Sequence, residues 1–454
     1  FKTNSRRITM KKTLLLSVVA STMIMAGGDI APVEPVVEAP VEVSAWNFTG
    51  EAVAFMQTRD ALGGNQNGDL FGGSTTAGSL GLQLGATNDD IFAGIGFGAK
   101  VAAIEIGSDT GFSSTNFGTQ RGQALTQLYL TYGLDSINTS VKVGRQSLPK
   151  SLSPFAFSEN WQQFENTFEA ALVVNSSIPD TTLVYAFVTR ANGSVSDLPG
   201  TAVHPWTPGA FNTPALAGYD GLNDFNEIND DGVHMVTAQN KSIDNLTLTG
   251  TWYIGPDHTS WISDQNGLGL PGAGDTNVLW GDATYAADMF TVGVQGGTID
   301  PDGLEKTTGW GAKISGKLAM FDLHAAYTSV DDGTVKMANF GTSVKTPLYT
   351  QSILDQDTIS KDSDTFKIGA GMAALGGNFG LSYINADLGD AAPAAVMYPG
   401  GYNGAYAGSG TYEEVDFTYK TKVFNDSTTL FAAYVYQNDD RVDGLVNADG
   451  ADEQ

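Results

Sequence analysis

Apolar and polar residues alternate along most of this chain with the two-residue period that is typical of β-strands. Segment 246–254 shows the pattern best. One face of this segment carries apolar side chains, those of Leu246, Leu248, Trp252 and Ile254. The opposite face is mostly hydroxylated, with Thr247, Thr249, Thr251 and Tyr253. The alternation predicts about seventeen strands, at 45–56, 78–86, 91–106, 123–134, 137–146, 165–175, 180–191, 232–239, 244–254, 276–286, 288–298, 307–318, 320–330, 364–374, 377–387, 411–422 and 426–438.

The connections between these strands alternate between long and tight. Long connections are predicted at 57–77, 107–122, 147–164, 192–231, 255–275, 331–363 and 388–410, and tight turns lie between them. Long loops on one side and short turns on the other are typical of outer-membrane β-barrels. We therefore predict an all-β protein, a transmembrane antiparallel β-barrel.

A barrel of this kind satisfies every backbone hydrogen bond within the membrane by closing on itself, which favours an even number of strands. Seventeen strands are visible, so we expect about 18, with the final strand missing from this chain and lying beyond Gln454. Aromatic residues recur near the strand ends, as expected for the girdles at the two membrane interfaces, although aromatic residues also favour strands in general.

The amino terminus has the composition of an export signal. Lys11 and Lys12 precede an apolar run of about 14 residues that ends in small residues, which is typical of a secretory signal peptide. We assign 1–26 to upstream residues and the signal peptide, 27–43 to a proline-rich periplasmic linker, and 44–454 to the barrel.

Charge and composition exclude several functions. The formal net charge is −27, which disfavours nucleic acid as a partner and is compatible with a channel that prefers cations. The chain has no cysteine, so thiol catalysis and disulfides are excluded. The four histidines fall in unrelated segments and no catalytic motif is present, so we predict no catalytic residues and no enzyme.

If the apolar faces contact lipid, the charges on the alternate faces line a water-filled pore. We select as pore-lining Lys142, Glu169, Arg190, Lys313, Lys317, Asp322, Lys367, Asp416 and Lys420. The connection 147–164 is the third long one, and a wide barrel needs an inward loop to narrow it. Its candidate constriction residues are Lys150, Phe155, Glu159 and Trp161.

A second long connection is acidic. Asp220, Asp224, Glu227, Asp230 and Asp231 cluster there, and oxygen ligands at this density could hold calcium. The spacing does not match an EF-hand loop, so a solvated acidic loop is the alternative. No other cofactor is expected.

The stretch 142–188, which contains KVGRQSL and the hairpin FEAALVVNSSIPDTTLVYAFV, resembles the Campylobacter-type major outer-membrane porins. This resemblance implies a homotrimer of eighteen-stranded barrels, a third loop folded into the pore, a charged constriction, a cation preference and bound calcium. Its partners would be outer-membrane lipid, lipopolysaccharide, ions and small hydrophilic solutes. The proline-rich linker and the lacking final strand depart from that family.

The leading function is thus a porin for passive diffusion of ions and small hydrophilic solutes across the outer membrane. The alternative is a surface-exposed, β-rich adhesion or structural protein, whose apolar strand faces would stack against each other in a compact interior.

Overall fold

The computed structural model describes residues 46–58, 71, 76–107, 120–159, 164–192, 225–228, 231–256, 274–341, 345–353, 358–392 and 409–441. The predicted signal peptide and linker lie outside these residues. The strands are β1 Asn47–Thr58, β2 Thr76–Phe92, β3 Ile95–Gly107, β4 Gln120–Leu134, β5 Thr139–Gln146, β6 Phe168–Asn175, β7 Thr181–Ala191, β8 Asn226–Glu227, β9 Val233–Ile243, β10 Leu246–Gly255, β11 Thr276–Ala286, β12 Phe290–Pro301, β13 Thr307–Leu318, β14 Phe321–Val330, β15 Ser363–Ala374, β16 Gly377–Leu388, β17 Gly410–Val423 and β18 Thr428–Asp439. A short 3-10 helix, Asp135–Ile137, lies between β4 and β5. Among the described residues, no helix is long and apolar enough to span a membrane.

The strands form one antiparallel sheet, and each long strand pairs with its neighbours in the chain. β8 has two residues and pairs with the end of β7, so the sheet has seventeen long strands. Because successive long strands alternate in direction, β1 and β18 run the same way. Each of these two has one paired neighbour among the described residues.

The prediction of seventeen alternating strands in an antiparallel barrel is confirmed. The largest error in the predicted strand bounds concerns segment 91–106, which is predicted as a single strand, whereas the chain turns at Ala93 and Gly94, with φ of 51° and 82°. Glycine accommodates such a left-handed angle without steric cost, so the Gly94 position permits a tight turn inside an apolar run. The connection between β12 and β13 is also short.

The outer face of the barrel is apolar and exposed. Trp252, Leu279, Trp310 and Ile314 are 46%, 60%, 51% and 50% exposed, while Tyr253, on the opposite face of β10, is 1% exposed.

Near the long-loop ends of the strands, outward aromatic residues hydrogen-bond to polar neighbours: Tyr327 donates to Asp364 over 2.8 Å, and Trp252 donates to Asn277 over 3.2 Å. Aromatic residues with a bonded polar tip are typical of membrane interfaces.

The apolar core of the molecule lies inside the barrel. Two connections fold inward: the first inward loop, residues 147–159 and 164–167, and the second inward loop, residues 331–341, 345–353 and 358–362. Their apolar side chains pack against the inner walls of β6 to β14 in one cluster, whose loop members include Leu148, Phe155, Val335, Met337, Phe340 and Leu348. The inner faces of these strands are therefore buried near their long-loop ends.

Candidate functional site

The two inward loops are bonded to each other and to the barrel wall. The backbone N–H of Phe155 donates to the hydroxyl of Tyr253 in β10 over 3.0 Å. The side-chain amide of Asn339 donates to the carbonyl of Phe157 over 2.7 Å and accepts from the N–H of Phe157 over 3.3 Å. Lys150 donates to the carbonyl of Thr346 over 3.1 Å. The loops therefore form one plug that occupies part of the lumen.

A buried charge pair lies within this plug. Glu159, in the first inward loop, is 3% exposed, and Lys345, in the second, is 7% exposed. Burial raises the pKa of Glu159 to about 7, although the charges of Lys345 and Lys150 and a hydrogen bond with Asn339 act in the opposite direction. Burial likewise lowers the pKa of Lys345, and the charge of Glu159 opposes that shift. The predicted constriction residues Lys150, Phe155 and Glu159 thus hold the plug in place.

The inner wall of β1 to β5 keeps polar side chains accessible to water beside the plug. Lys100 of β3 and Glu165, where the first inward loop returns to the wall, face each other with Nζ and Oε1 4.0 Å apart. Their side chains are 26% and 28% exposed. Gln127 of β4 donates to Ser147 over 2.8 Å and to Glu165 over 3.4 Å. This arrangement fixes the carboxylate of Glu165 at the edge of the plug.

Lys142 of β5 and Glu51 of β1 complete the charged wall. Lys142 lies opposite Thr131 in the register, on the inner face, with its Nζ 3.8 Å from the ring centroid of Tyr129. Its charge interacts with those of Glu165 and Lys100, and Glu51 interacts with the same two groups. Two cations and two anions therefore line one water-accessible stretch of the wall, which we call the charged passage (Glu51, Lys100, Lys142 and Glu165).

A second inner group lies on β11 and β13. Tyr349 of the second inward loop donates to a carboxylate oxygen of Asp282, and Thr284 donates to the other oxygen over 3.1 Å. The Nζ of Lys313 lies 4.2 Å from the centroid of the Tyr349 ring. Lys313 is therefore on the inner face, held against the lower side of the plug.

Three more predicted residues lie on the inner face near the tight turns. Lys317 and Asp322 are register partners across β13 and β14, with Nζ and Oδ1 3.6 Å apart and side chains 71% and 64% exposed. Lys420 pairs with Asn378 in the register of β16 and β17. These residues lie at the mouth opposite the plug.

The prediction that Asp416 contacts pore water is wrong. Asp416 is on the inner face of β17, but it is 3% exposed, next to the fully buried Glu414. The second inward loop covers this part of the wall: the N–H of Ile353 donates to Glu414 over 2.7 Å, and Lys367 donates to the carbonyl of Gln351 over 2.6 Å. Lys367 is on the inner face and partly buried by the same segment.

The prediction that Glu169 and Arg190 line the pore is also wrong, because both face outward. Glu169 lies on the same face of β6 as the exposed Val173. Its carboxylate oxygens lie 2.7 Å from Nε of Arg145 and 4.0 Å from Nη1 of Arg190. In β7, Val188 pairs with Ala170 and Arg190 pairs with Glu169, so Thr189 has no register partner. This β-bulge shifts Arg190 to the outer face.

Several predicted residues lie outside the described residues: Trp161, Asp220, Asp224 and Asp230. Glu227 and Asp231 are described, and Glu227 binds Arg190 with a distance of 2.6 Å between Oε1 and Nη2. Within the described part of the chain, no group of three or more histidine or acidic residues could hold a metal ion. The calcium site stays a prediction.

Sequence reasoning missed Lys100 and Glu165. Lys100 follows the unrecognised turn at 93–94 in an alanine-rich strand, where small residues on both faces hide the alternation. Glu165 precedes β6 and belongs to an irregular segment, for which the two-residue period gives no signal.

Comparison with solved structures identifies the fold. A BenF-like porin from Pseudomonas fluorescens Pf-5 superposes with a TM-score of 0.60 and 11% identity, over 87% of this chain and 93% of that chain. Pseudomonas aeruginosa OccK2 (OpdF), in complex with glucuronate, gives a TM-score of 0.59 and 10% identity, over 87% and 92%. Acinetobacter baumannii OccAB1 gives 0.54 and 12% identity, over 86% and 89%.

Neither a family model nor a curated protein sequence matches this chain. The fold is that of outer-membrane porin barrels. These three structures are Occ and BenF-like porins, and neither a family model nor a sequence match confirms the predicted membership of the Campylobacter-type porins.

Proposed function

We propose that this protein is a porin of the bacterial outer membrane, a water-filled channel through which ions and small hydrophilic solutes diffuse. One observation carries the proposal: apolar side chains are exposed all around the outside of the barrel, while water-accessible charges lie on the inside. A lipid environment outside and an aqueous one inside explain both faces. The porin fold of the similar structures supports the same function, and channels of this kind carry out no chemistry.

The alternative, a β-rich adhesion or structural protein, requires the apolar strand faces to stack in a compact interior. Within the described part of the chain, no segment covers the outward apolar residues, as Leu279 at 60% and Ile314 at 50% exposure illustrate. The interior core is formed by the inward loops instead. These observations favour the porin.

The route for solutes runs beside the plug, along the charged passage, toward the mouth near Lys317 and Asp322. Fixed charges of both signs in a narrow passage produce a transverse field, which sorts solutes by charge and dipole. The net charge of −27 supports a preference for cations. Assembly as a homotrimer, contact with lipopolysaccharide, calcium binding and membership of the Campylobacter-type porins are further parts of the proposal, and they rest on the sequence resemblance.

Reconstitution into planar lipid bilayers tests the proposal. We expect discrete conductance steps and heat-modifiable migration on a denaturing gel, because a closed barrel resists detergent until it is heated. Folded protein that inserts in the bilayer without conducting would contradict a porin. In a salt gradient, a reversal potential shifted toward that of the anion would contradict the cation preference.

A further inference from the structure

The tight turns of the barrel carry exposed apolar side chains. The described residues include eight such turns, and each has a large apolar residue at its tip or at the adjoining strand end: Phe92, Ile137, Ile178, Ile243, Met289, Met320, Leu375 and Phe424. Their exposed fractions are 75%, 53%, 50%, 57%, 74%, 60%, 86% and 78%. Turns that lie in water are usually rich in glycine, asparagine and aspartate, so an exposed apolar residue at all eight turns indicates a different environment.

Two of these residues hold an unfavourable backbone angle. Leu375 and Phe424 have φ of 53° and 51°, in the left-handed region that bulky side chains rarely adopt. Leu375 precedes Gly376, whose φ is 76°, so the pair has the two positive angles of a turn whose first position favours asparagine or aspartate. Backbone geometry therefore does not account for a bulky apolar residue at this position, and neither does burial within the described chain, since Leu375 is 86% exposed.

The distribution of the turns around the barrel indicates whether their apolar side chains contact a protein partner or lipid. They belong to eight successive hairpins from β2–β3 to β17–β18, so they extend around the rim. A single protein partner would contact one sector of such a rim, whereas the surrounding lipid contacts all of it. The apolar turns also continue the lipid-facing band: Met320 at the tip follows the outward residues Leu318 and Ile314 on β13, which are 65% and 50% exposed.

Polar residues are interleaved with the apolar ones at the same turns. Asn138, Asp180, Asn245 and Asp426 all lie in them. A mixture of polar groups and large apolar side chains at one level fits the boundary between lipid headgroups and acyl chains, where amphipathic elements bind.

We propose that the ring of apolar turns is inserted in the inner, phospholipid leaflet of the outer membrane and anchors the periplasmic rim of the barrel at the boundary between headgroups and acyl chains. This inference rests on the proposed porin function, which places the outer face in lipid and the tight turns on the periplasmic side. The turns then act as membrane anchors, and the short connections do not extend into the periplasm.

Depth-dependent fluorescence quenching tests the proposal, and the absence of native cysteine allows one label per protein. Leu375→Cys and Phe424→Cys carry the probe at the turns, Ile314→Cys carries it in the middle of the outer face, and Lys306→Cys carries it in the exposed β12–β13 connection. Each variant is labelled with a thiol-reactive bimane and placed in vesicles of phosphatidylethanolamine and phosphatidylglycerol that contain nitroxide-labelled lipids. Heat-modifiable migration shows that each variant is folded.

We expect nitroxides near the headgroup to quench the labels at 375 and 424, deep nitroxides to quench the label at 314, and neither to quench the label at 306. If 314 is quenched and the two turn positions are not, the turns lie in water and the inference is wrong, while the membrane-spanning barrel stands. If 314 is also unquenched, the proposed function fails with it. Turn labels that are unquenched in vesicles, but protected from an impermeant maleimide in native membranes, would instead indicate a periplasmic protein partner and overturn the inference.

Discussion

The backbone N–H of Phe340 donates a 2.7 Å hydrogen bond to the carbonyl oxygen of Phe155, and the rings of these two residues stack with centroids 5.2 Å apart. This contact joins the two inward loops at the centre of the apolar core. The ring of Phe155 also meets those of Trp280 and Tyr253 edge to face, at 5.3 and 6.1 Å. The width of the channel therefore depends on packing within the plug.

Phe155→Ala is expected to loosen the plug. Truncating a fully buried phenylalanine typically costs about 3 to 5 kcal/mol, and here the lost contacts hold both loops against the wall. We predict a larger and noisier single-channel conductance in planar bilayers, and a lower urea midpoint in detergent. Ile368→Ala, on the outer face, is the matched control, and it should leave the conductance unchanged. An unaltered conductance in folded Phe155→Ala would show that the plug does not limit flow.

The charge of Glu159 is expected to make the stability of the plug depend on pH. The pKa of Glu159 is raised to about 7 in the folded protein, so the folded state binds this proton more tightly than the unfolded chain does. Stability from this group is therefore present below the unfolded pKa of about 4.5, and it is lost as the pH rises toward 7, by an amount on the order of 3 kcal/mol.

Urea unfolding between pH 4.5 and pH 8 checks this prediction. Glu159→Gln should remove most of the slope in that range, whereas the exposed Glu305→Gln should keep it. Lys345 contributes in the opposite direction, because its lowered pKa gives stability that appears as the pH rises toward the ordinary lysine value. A slope that is equal in Glu159→Gln and the native protein would contradict the assignment.

Charges of the passage are expected to set ion selectivity, and charges on the outer face are not. Lys142→Gln removes a cation from the charged passage and should shift the reversal potential toward cation preference, while Glu165→Gln should shift it the other way. The matched control is Arg190→Gln, a cation of β7 that faces outward beyond the bulge. An equal effect of Arg190→Gln and Lys142→Gln would contradict the placement of these two residues on opposite faces.

Gly144→Ala is expected to impair folding. Gly144 has φ of 126°, and a Cβ there would lie 2.2 Å from the carbonyl oxygen of Leu128 and 2.9 Å from the Cα of Tyr129. Strain of this kind costs on the order of 1 to 3 kcal/mol even before the clash is relieved. Gly250→Ala is the control, since a Cβ at Gly250 meets nothing within 4 Å. The yield of heat-modifiable barrel measures the difference, and equal yields would contradict the prediction.

The strands could be predicted from the sequence because each one separates lipid from water. That requirement imposes the two-residue period directly on the chain, as segment 246–254 shows, and it holds whatever the loops do. Whether a particular charged residue faces the lumen or the lipid was less predictable. Thr189 has no register partner, and this bulge moves Arg190 from the inner to the outer face of β7, although nothing in the composition of β7 indicates a bulge.

Glu169 shows a second limit. The inner face of β6 is covered by the plug, so Phe168 and Ala170 are buried apolar residues, and the outer face is apolar as well. With both faces apolar, alternation cannot tell inside from outside. The second inward loop was missed for a related reason: its buried residues, such as Val335 and Met337, follow no period, and their partners are distant in the chain.

The plug packs mainly against the wall from β6 to β17, and the charged passage lies along β1 to β5. The circumference is thereby divided between two kinds of constraint: β6 to β17 have to preserve shape complementarity with the loops, whereas the water-accessible polar side chains of β1 to β5 can be exchanged at little cost to folding. A change in what the protein admits would accordingly be expected to arise from substitutions in the first third of the sequence, while the remainder of the wall stays fixed as scaffold.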